Sequence, residues 1–316
     1  MLDSLRFVQG AVAKKDFVPA LTHFQIKDKF ILGFNGMLGL RSPIALDLDV
    51  NPRAIQLIKA IQTCKDTIQL NLTAAKRLSV KSGKFKALID CIEGDYPEIV
   101  PEGVEVPMKG DLLAGLKVLA PFIADDASRP WARGILLRGQ SGYATNNIVI
   151  VEYWLGYDFP VELNIPKAAV MELLRIGEEP VMLQVAEGSV TFHFPGDRWL
   201  RSQTYTTEWP AVQSILDRPS TPMAIPEGMW EAIESLLPFV DEQGRLYFSD
   251  GAITTGHGEG AGAAVDIPDI KADGCFNAAQ IQLLKGVAET LDLTGYPAPC
   301  AFFGDRLRGA IVGIRT

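Results

Sequence analysis

Between Leu78 and Ile89 apolar and polar positions alternate on both sides of a Ser82-Gly83 step: Leu78 and Val80 against Ser79 and Lys81, then Phe85, Ala87 and Ile89 against Lys84, Lys86 and Leu88. A period of two around a glycine turn predicts a hairpin with one buried face. The hairpin runs into Asp95, Tyr96 and Pro97, and the same acidic, aromatic and proline ending returns 113 positions later as Glu208, Trp209 and Pro210. A recurrence at that distance marks an internal repeat. Leu119 to Ile123 and Leu236 to Val240 close two helical stretches in matching words, and polar turns at Asn35-Gly36, Thr145-Asn146 and Thr254 to Gly256 fall about 110 positions apart. The chain therefore divides into three similar domains, 1–106, 107–219 and 220–316.

Each domain follows one order of elements. In the first, Leu5, Val8 and Val12 make an apolar stripe that predicts a helix from Leu2 to Ala13, strands follow from Ala20 to Asp49, and Asn51 caps a second helix with Pro52 at its first position. Ile55, Ile58 and Ile61 would face inward, and strands run from Thr67 to Ile92. The second domain has a helix from Asp111 to Ala124, strands from Ala132 to Ile165, a helix from Lys167 to Ile176 and strands from Val181 to Tyr205. Pro219, Pro222 and Pro226 make a linker. The third has a helix from Glu227 to Val240, strands from Arg245 to Phe276, a helix entered at Asn277, and closing strands. The fold class is α+β, two helices per domain packed on mostly antiparallel sheets.

Composition narrows the setting. No run of about 18 apolar residues is present to cross a membrane, and Met1 to Lys15 lacks the basic start and apolar middle of a signal peptide, so a cytoplasmic protein is expected. Cys64, Cys91, Cys275 and Cys300 form no CxxC pair and are expected as reduced, partly buried thiols.

Two passages carry a family likeness. RLSVKSGKFKALI followed by DYP, and ATNNIVIVEYW followed by IPKAAVMELLRI, resemble the bacterial DNA polymerase III β subunit, the sliding clamp. The likeness runs in order over nearly the whole chain, which is shorter than typical members and departs from them at Ile311 to Thr316, as a divergent or phage-type member would. The resemblance implies half of a closed ring, two chains of three domains with helices lining a hole round duplex DNA. It implies a processivity factor that tethers a replicative DNA polymerase, with no catalysis and no cofactor of its own. The alternative is a clamp-fold interaction module that docks replication proteins without encircling DNA. Ring closure would pair an edge strand, Leu78 to Ile89, with the third domain of a second copy.

A net charge of −8 makes the distribution of charge decisive. The six helices and their flanks carry eleven basic against seven acidic residues, so a basic helical lining inside an acidic shell would draw DNA to the hole; the bland reading is that Lys and Arg are common on exposed helix faces. The candidate contacts are Lys14, Lys15, Arg53, Lys59, Lys117, Lys167 and Arg175, with Lys15 at a basic position of the family. Glu227, Glu231 and Glu234 make the first helix of the third domain an exception. Trp131 falls where the resemblance implies a protruding aromatic; it would stack on single-stranded DNA or simply pack in a core.

Catalytic constellations do not assemble. His257 and Glu259 with Pro299 and Cys300 suggest part of a zinc deaminase motif, but Phe303 stands where its second cysteine belongs, and a glycine-rich hairpin explains the same letters. Gly139 to Gly142 misses the GxSxG spacing and reads as a hairpin turn. Asp90, Glu93 and Asp95 read as a solvated loop rather than an acid and base pair.

The resemblance also implies a pocket for short peptides from a polymerase and a clamp loader. It maps to Ala132, Thr145, Asn147, Ile148, Val149 and Ile150 on one side and Val312, Gly313, Ile314 and Arg315 on the other. Ile148 and Val149 replace a His and an Arg of the family's TDGHR turn, so this pocket would be the more apolar. The plain alternative is that Ile148 to Val151 and Ile311 to Ile314 are neighbouring core strands.

Overall fold

Leu78–Ser82 and Phe85–Ile89 form the expected hairpin, with Leu78 opposite Ile89 and Ser82 opposite Phe85. Gly83 turns it at φ +55°, a left-handed conformation that glycine adopts without steric cost. Leu78 and Val80 are fully buried while Leu88 is half exposed. Gln69–Leu72 pairs on the other side of Leu78–Ser82, so Phe85–Ile89 is an edge strand of a three-stranded sheet.

The computed structural model describes every residue except Asp250, 257–261 and Thr316. It contains two compact units, Met1–Lys109 with Met171–Thr204, and Gly110–Val170 with Tyr205–Thr316. Among the described residues no helix is long and apolar enough to cross a membrane.

The first unit is built on a seven-stranded antiparallel sheet in the order Phe24–Lys27, Phe30–Phe34, Leu38–Pro43, Arg198–Gln203, Ser189–Phe194, Met182–Ala186, Val104–Pro107. Its middle seam joins strands far apart in sequence, with Leu40 opposite Leu200. Phe24, Ile26, Ile31, Leu40, Phe192 and Leu200 are fully buried on it, each contributing about 1.5–3 kcal/mol of transfer free energy.

Two helices here differ from expectation. Leu2–Val8 is α-helical and Gln9–Ala11 continues as a 3₁₀ turn, so the first helix is shorter than the apolar stripe suggests. Arg175 explains the stop: its Nη1 donates to the Arg6 carbonyl at 2.9 Å and its Nη2 to the Phe7 carbonyl at 2.7 Å, satisfying carbonyls that a helix end leaves open. The second helix is Ala54–Thr63, with Arg53 and not Asn51 at its N-cap. Asn51–Pro52 is instead a short strand opposite Cys91–Ile92, and the Arg53 N–H donates to the Asp90 carbonyl. That pairing holds the backbone extended until Arg53. The inward face accordingly shifts to Ala54, Leu57, Ala60 and Ile61, and Ile55 is exposed.

In the second unit a six-stranded sheet runs Gly134–Thr145, Val149–Pro166, Leu307–Ile311, Cys300–Gly304, Thr290–Leu291, Met223–Ala224. Gly139 to Gly142 is not a hairpin turn. It lies inside Gly134–Thr145, where the register against Val149–Pro166 shifts on both sides of Gly139 at φ +56°, as at a β-bulge. A four-stranded sheet runs Ala264–Asp266, Ala252–Thr254, Arg245–Ser249, Gly274–Asn277. Asn277 caps the short helix Ala278–Gln282, its Oδ1 accepting from the Gln280 N–H at 3.1 Å.

One local pattern occurs three times: Leu2–Val8, Leu112–Leu119 and Met229–Leu236 each run straight into a 3₁₀ turn, Gln9–Ala11, Ala120–Phe122 and Leu237–Phe239. In the last two a proline within the 3₁₀ turn cannot donate the next helical hydrogen bond. The helix Lys167–Ile176 has the expected bounds.

Candidate functional site

The site begins at the turn joining Gly134–Thr145 to Val149–Pro166. Asn146 Oδ1 accepts from the N–H groups of Ile148 at 3.1 Å and Val149 at 2.8 Å, and Asn147 takes a left-handed φ of +76°, which asparagine tolerates better than most residues. Thr145 Oγ1 donates to the Val149 carbonyl at 2.7 Å and accepts the Asn147 N–H at 3.0 Å. This folded tip holds the Ile148 side chain partly in water, 38% exposed.

Behind the tip, Ile150 lies opposite Ala310 and Val149 opposite Ile311, while the Val312 N–H reaches the Ile148 carbonyl at 2.9 Å. Leu136, Tyr143, Ile150, Trp209, Val212, Leu216 and Ala310 form the apolar floor, with Trp131 packed against it. The Trp131 and Trp209 rings meet edge to face, centroids 5.0 Å apart at 65°. The result is a groove of about 350 Å³ lined by Arg129, Trp131, Thr145, Asn147, Ile148, Val149, Ile150, Pro210, Val212, Ile215, Ala310 and Val312. Its rim is polar at one point, where Arg129 Nη1 donates to Asn147 Oδ1 at 2.8 Å. An apolar trough with few polar groups suits side chains of an extended peptide.

Six of the residues assigned to the pocket from the sequence line this groove: Thr145, Asn147, Ile148, Val149, Ile150 and Val312. Ala132 is completely buried and off the lining. Gly313, Ile314 and Arg315 also lie off it. Ile314 is tied elsewhere, its N–H donating to the Cys275 carbonyl at 2.7 Å and its carbonyl accepting from Tyr296 Oη at 2.8 Å. The opposite wall, Pro210, Val212 and Ile215, was missed. Its signal is the i, i+3, i+4 spacing of Val212, Ile215 and Leu216 straight after the Glu208-Trp209-Pro210 triplet, which forms the one-turn helix Gln213–Leu216.

A polar network lies close by. Glu152 accepts from Tyr143 Oη at 2.7 Å and from Arg308 Nε at 2.7 Å, and Arg308 Nη1 donates to Asp217 at 2.8 Å. Burial pushes the Glu152 carboxyl up, but these donors outweigh it and hold the group below its ordinary value.

The basic candidates separate into two sets. Lys14, Lys15, Arg53, Lys59 and Lys117 are exposed, and no ion pair ties them among the described residues. Lys167 is bound to Asp125 at 2.6 Å. Arg175 is spent on structure: besides the Arg6 and Phe7 carbonyls, it holds the buried Glu172 carboxylate through Nε at 2.9 Å and Nη2 at 2.5 Å. Trp131 belongs to the groove wall. In the last third, Lys285 is paired with Glu234 of the acidic helix Met229–Leu236.

The strand-end acids are likewise engaged in exposed pairs, Asp90 with Arg77 at 3.0 Å and Glu93 with Lys76 at 2.9 Å. Among the described residues no three His, Cys, Asp or Glu gather to hold a metal; His257 and Glu259 lie outside the described residues. All four cysteines are free thiols, and burial pushes that of Cys300 up to about 12.

No protein-family model matches the chain, and no curated protein matches it. Solved structures do. The DNA polymerase III β sliding clamp of Bartonella birtlesii, bound to griselimycin, superposes with a TM-score of 0.85 at 15% identity over 100% of this chain and 97% of that one. The DNA polymerase sliding clamp of Pseudomonas aeruginosa with a ligand gives 0.84 at 16% identity over the same shares. The DNA polymerase III β subunit of Thermotoga maritima gives 0.82 at 14%, again over 100% and 97%. The chain has the sliding-clamp fold along its whole length.

Proposed function

We propose that this protein is a DNA sliding clamp: two copies, each of three clamp domains bounded near residues 106 and 219, close a ring round duplex DNA and tether a replicative polymerase. The observation that carries this reading is the fold, which is similar to bacterial β clamps from end to end. The thrice-repeated passage from helix to 3₁₀ turn supports the division into three. In this reading Lys14, Lys15, Arg53, Lys59 and Lys117 touch phosphates without reading bases, which is what sliding requires. Phe85–Ile89, an edge strand with Leu88 exposed, is where a second copy adds its sheet. The apolar groove takes a peptide of the polymerase or of a clamp loader.

A second reading, a docking module that does not encircle DNA, draws on the last third of the chain. There Glu231 and Glu234 occupy the helix Met229–Leu236 and Lys285 is neutralised by Glu234, leaving that part with little attraction for phosphate.

Topology separates the two. Incubated with the clamp loader of its host and a nicked plasmid, a ring stays with the circle through gel filtration at high salt and is lost when the plasmid is cut to a linear form. A protein that is not retained on the circle yet still captures the polymerase would favour the docking module, and one that in addition stays monomeric at high micromolar concentration would sink the ring.

A further inference from the structure

Phe17 is the most exposed large apolar side chain among the described residues, at 106% of its reference area. The segment carrying it is tied at both ends. Asp16 Oδ1 accepts the Val18 N–H at 2.8 Å, and the Val18 carbonyl accepts the Leu21 N–H at 3.1 Å. The Ala13 N–H donates to the Leu21 carbonyl at 2.8 Å, and Thr22 Oγ1 to the Pro19 carbonyl at 2.9 Å. The ring is thus presented on a braced tip, where it contributes nothing to the core.

Lys14 and Lys15 immediately precede it, both exposed and neither ion-paired among the described residues, in a chain whose net charge is −8. Asp16, the acid between them and the ring, has one carboxylate oxygen turned back on its own backbone. Cations beside an open aromatic face are the means by which proteins hold unpaired nucleotides: the cations meet phosphates, and the ring lies under a base of any identity. Trp131, the other aromatic assigned such a stack, is edged by Trp209 in the groove.

We propose that Phe17 stacks on an unpaired base of DNA, with Lys14 and Lys15 on the adjoining phosphates, so that the tip grips single-stranded DNA. This assignment rests on the DNA-binding reading above and adds to it an interaction that duplex DNA, whose bases are stacked on one another, would not make.

The test is fluorescence anisotropy of the full chain with a labelled oligo-dT strand and with a duplex of equal length, over a series of salt concentrations. Phe17→Ala and Phe17→Leu should weaken single-strand binding about tenfold with an unchanged salt slope, while Phe17→Trp keeps it and duplex binding stays as in the parent protein. Lys14→Ala with Lys15→Ala should instead flatten the single-strand slope by about 0.7 for each phosphate no longer neutralised. If Phe17→Ala binds like the parent while the lysine variant loses its slope, the stack is wrong and the DNA reading stands. Full binding by Phe17→Leu would mean apolar packing and overturn the stack. Unchanged DNA binding with loss of polymerase stimulation in Phe17→Ala would make the ring a protein-binding group, also against the proposal. No binding of either DNA by the parent protein at low salt would bring down the DNA reading and the stack together.

Discussion

Asn35 and Asn146 play the same part at the head of two strand pairs. Asn35 Oδ1 accepts the N–H groups of Met37 and Leu38 at 3.0 and 2.8 Å, as Asn146 does those of Ile148 and Val149 at 3.1 and 2.8 Å. Gly36 and Asn147 follow at positive φ. From there the two regions diverge. The second residue of the 3₁₀ turn is Ala20 in one and Trp131 in the other, and the triplet aromatic is Tyr96 or Trp209. Gly39 stands where Ile150 does, and its missing side chain lets Ile99 close down on the strand. Tyr96 Oη is satisfied twice, donating to the His23 carbonyl at 3.0 Å and accepting the Phe34 N–H at 3.1 Å. The buried Trp209 Nε1 finds no partner among the described residues. Beside the Tyr96 cluster the depression, about 300 Å³, sets Lys27, Asp28, Arg41 and Glu98 among apolar walls, with Arg41 stacked 3.3 Å over the Phe30 ring; near Trp209 the lining is apolar but for Arg129, Thr145 and Asn147. One plan yields a hydrogen-bonded plug or a greasy trough according to a few side-chain sizes.

That contrast can be broken at several strengths. Trp209→Ala should cost about 3–5 kcal/mol in urea unfolding and erase the groove with its floor. Glu152→Gln should cost about 2 kcal/mol by weakening charged hydrogen bonds, and its loss should depend on pH. Because the folded carboxyl is held below the ordinary 4.5, its contribution is complete above that value and drains as acid is added through the lower folded value. The substituted protein should therefore show a shallower acid limb in stability against pH. Arg41, at the equivalent strand position, does not titrate there, so Arg41→Gln should leave the limb unchanged. Tyr96→Phe orphans a buried N–H and a carbonyl and should cost about 1–2 kcal/mol. Ile148→Asp, on a side chain already in water, should move stability by less than about 0.5 kcal/mol. It should nonetheless abolish capture of a labelled Leu- and Phe-containing polymerase peptide, and undiminished capture would exclude the groove.

Apart from the clamp fold implied by the family resemblance, which runs the whole length of the chain, what the sequence disclosed was local. The Leu78 to Ile89 hairpin, the bounds of Lys167–Ile176, the Asn277 cap and the turn wall of the groove are all set by neighbours within a few positions. Asn51-Pro52 carries a helix-start signal that is overridden because Cys91–Ile92, forty positions on, offers the backbone a partner. Gly139 to Gly142 has the composition of a turn, but the long strand beside it absorbs the glycines as a bulge. Half the groove escaped because Pro210, Val212 and Ile215 reach it across the fold. The Glu172–Arg175 pair sits at helical i, i+3 spacing, but nothing nearby in sequence tells that the Arg6 and Phe7 carbonyls will also claim Arg175, or that Asp125 will claim Lys167.

The seam between Leu38–Pro43 and Arg198–Gln203 sets a timetable for synthesis. A ribosome that has released the first hundred residues has delivered three strands of a seven-stranded sheet and left Leu38–Pro43 as a raw edge, ready to pair with whatever strand arrives. Four of the seven strands, and the Arg175 that caps the opening helix, follow later in translation. Nascent chains stalled before Gln203 should thus depend on chaperones and tend to aggregate, and a fragment cut at Lys109, for all its apparent completeness as a repeat, should not remain in solution alone.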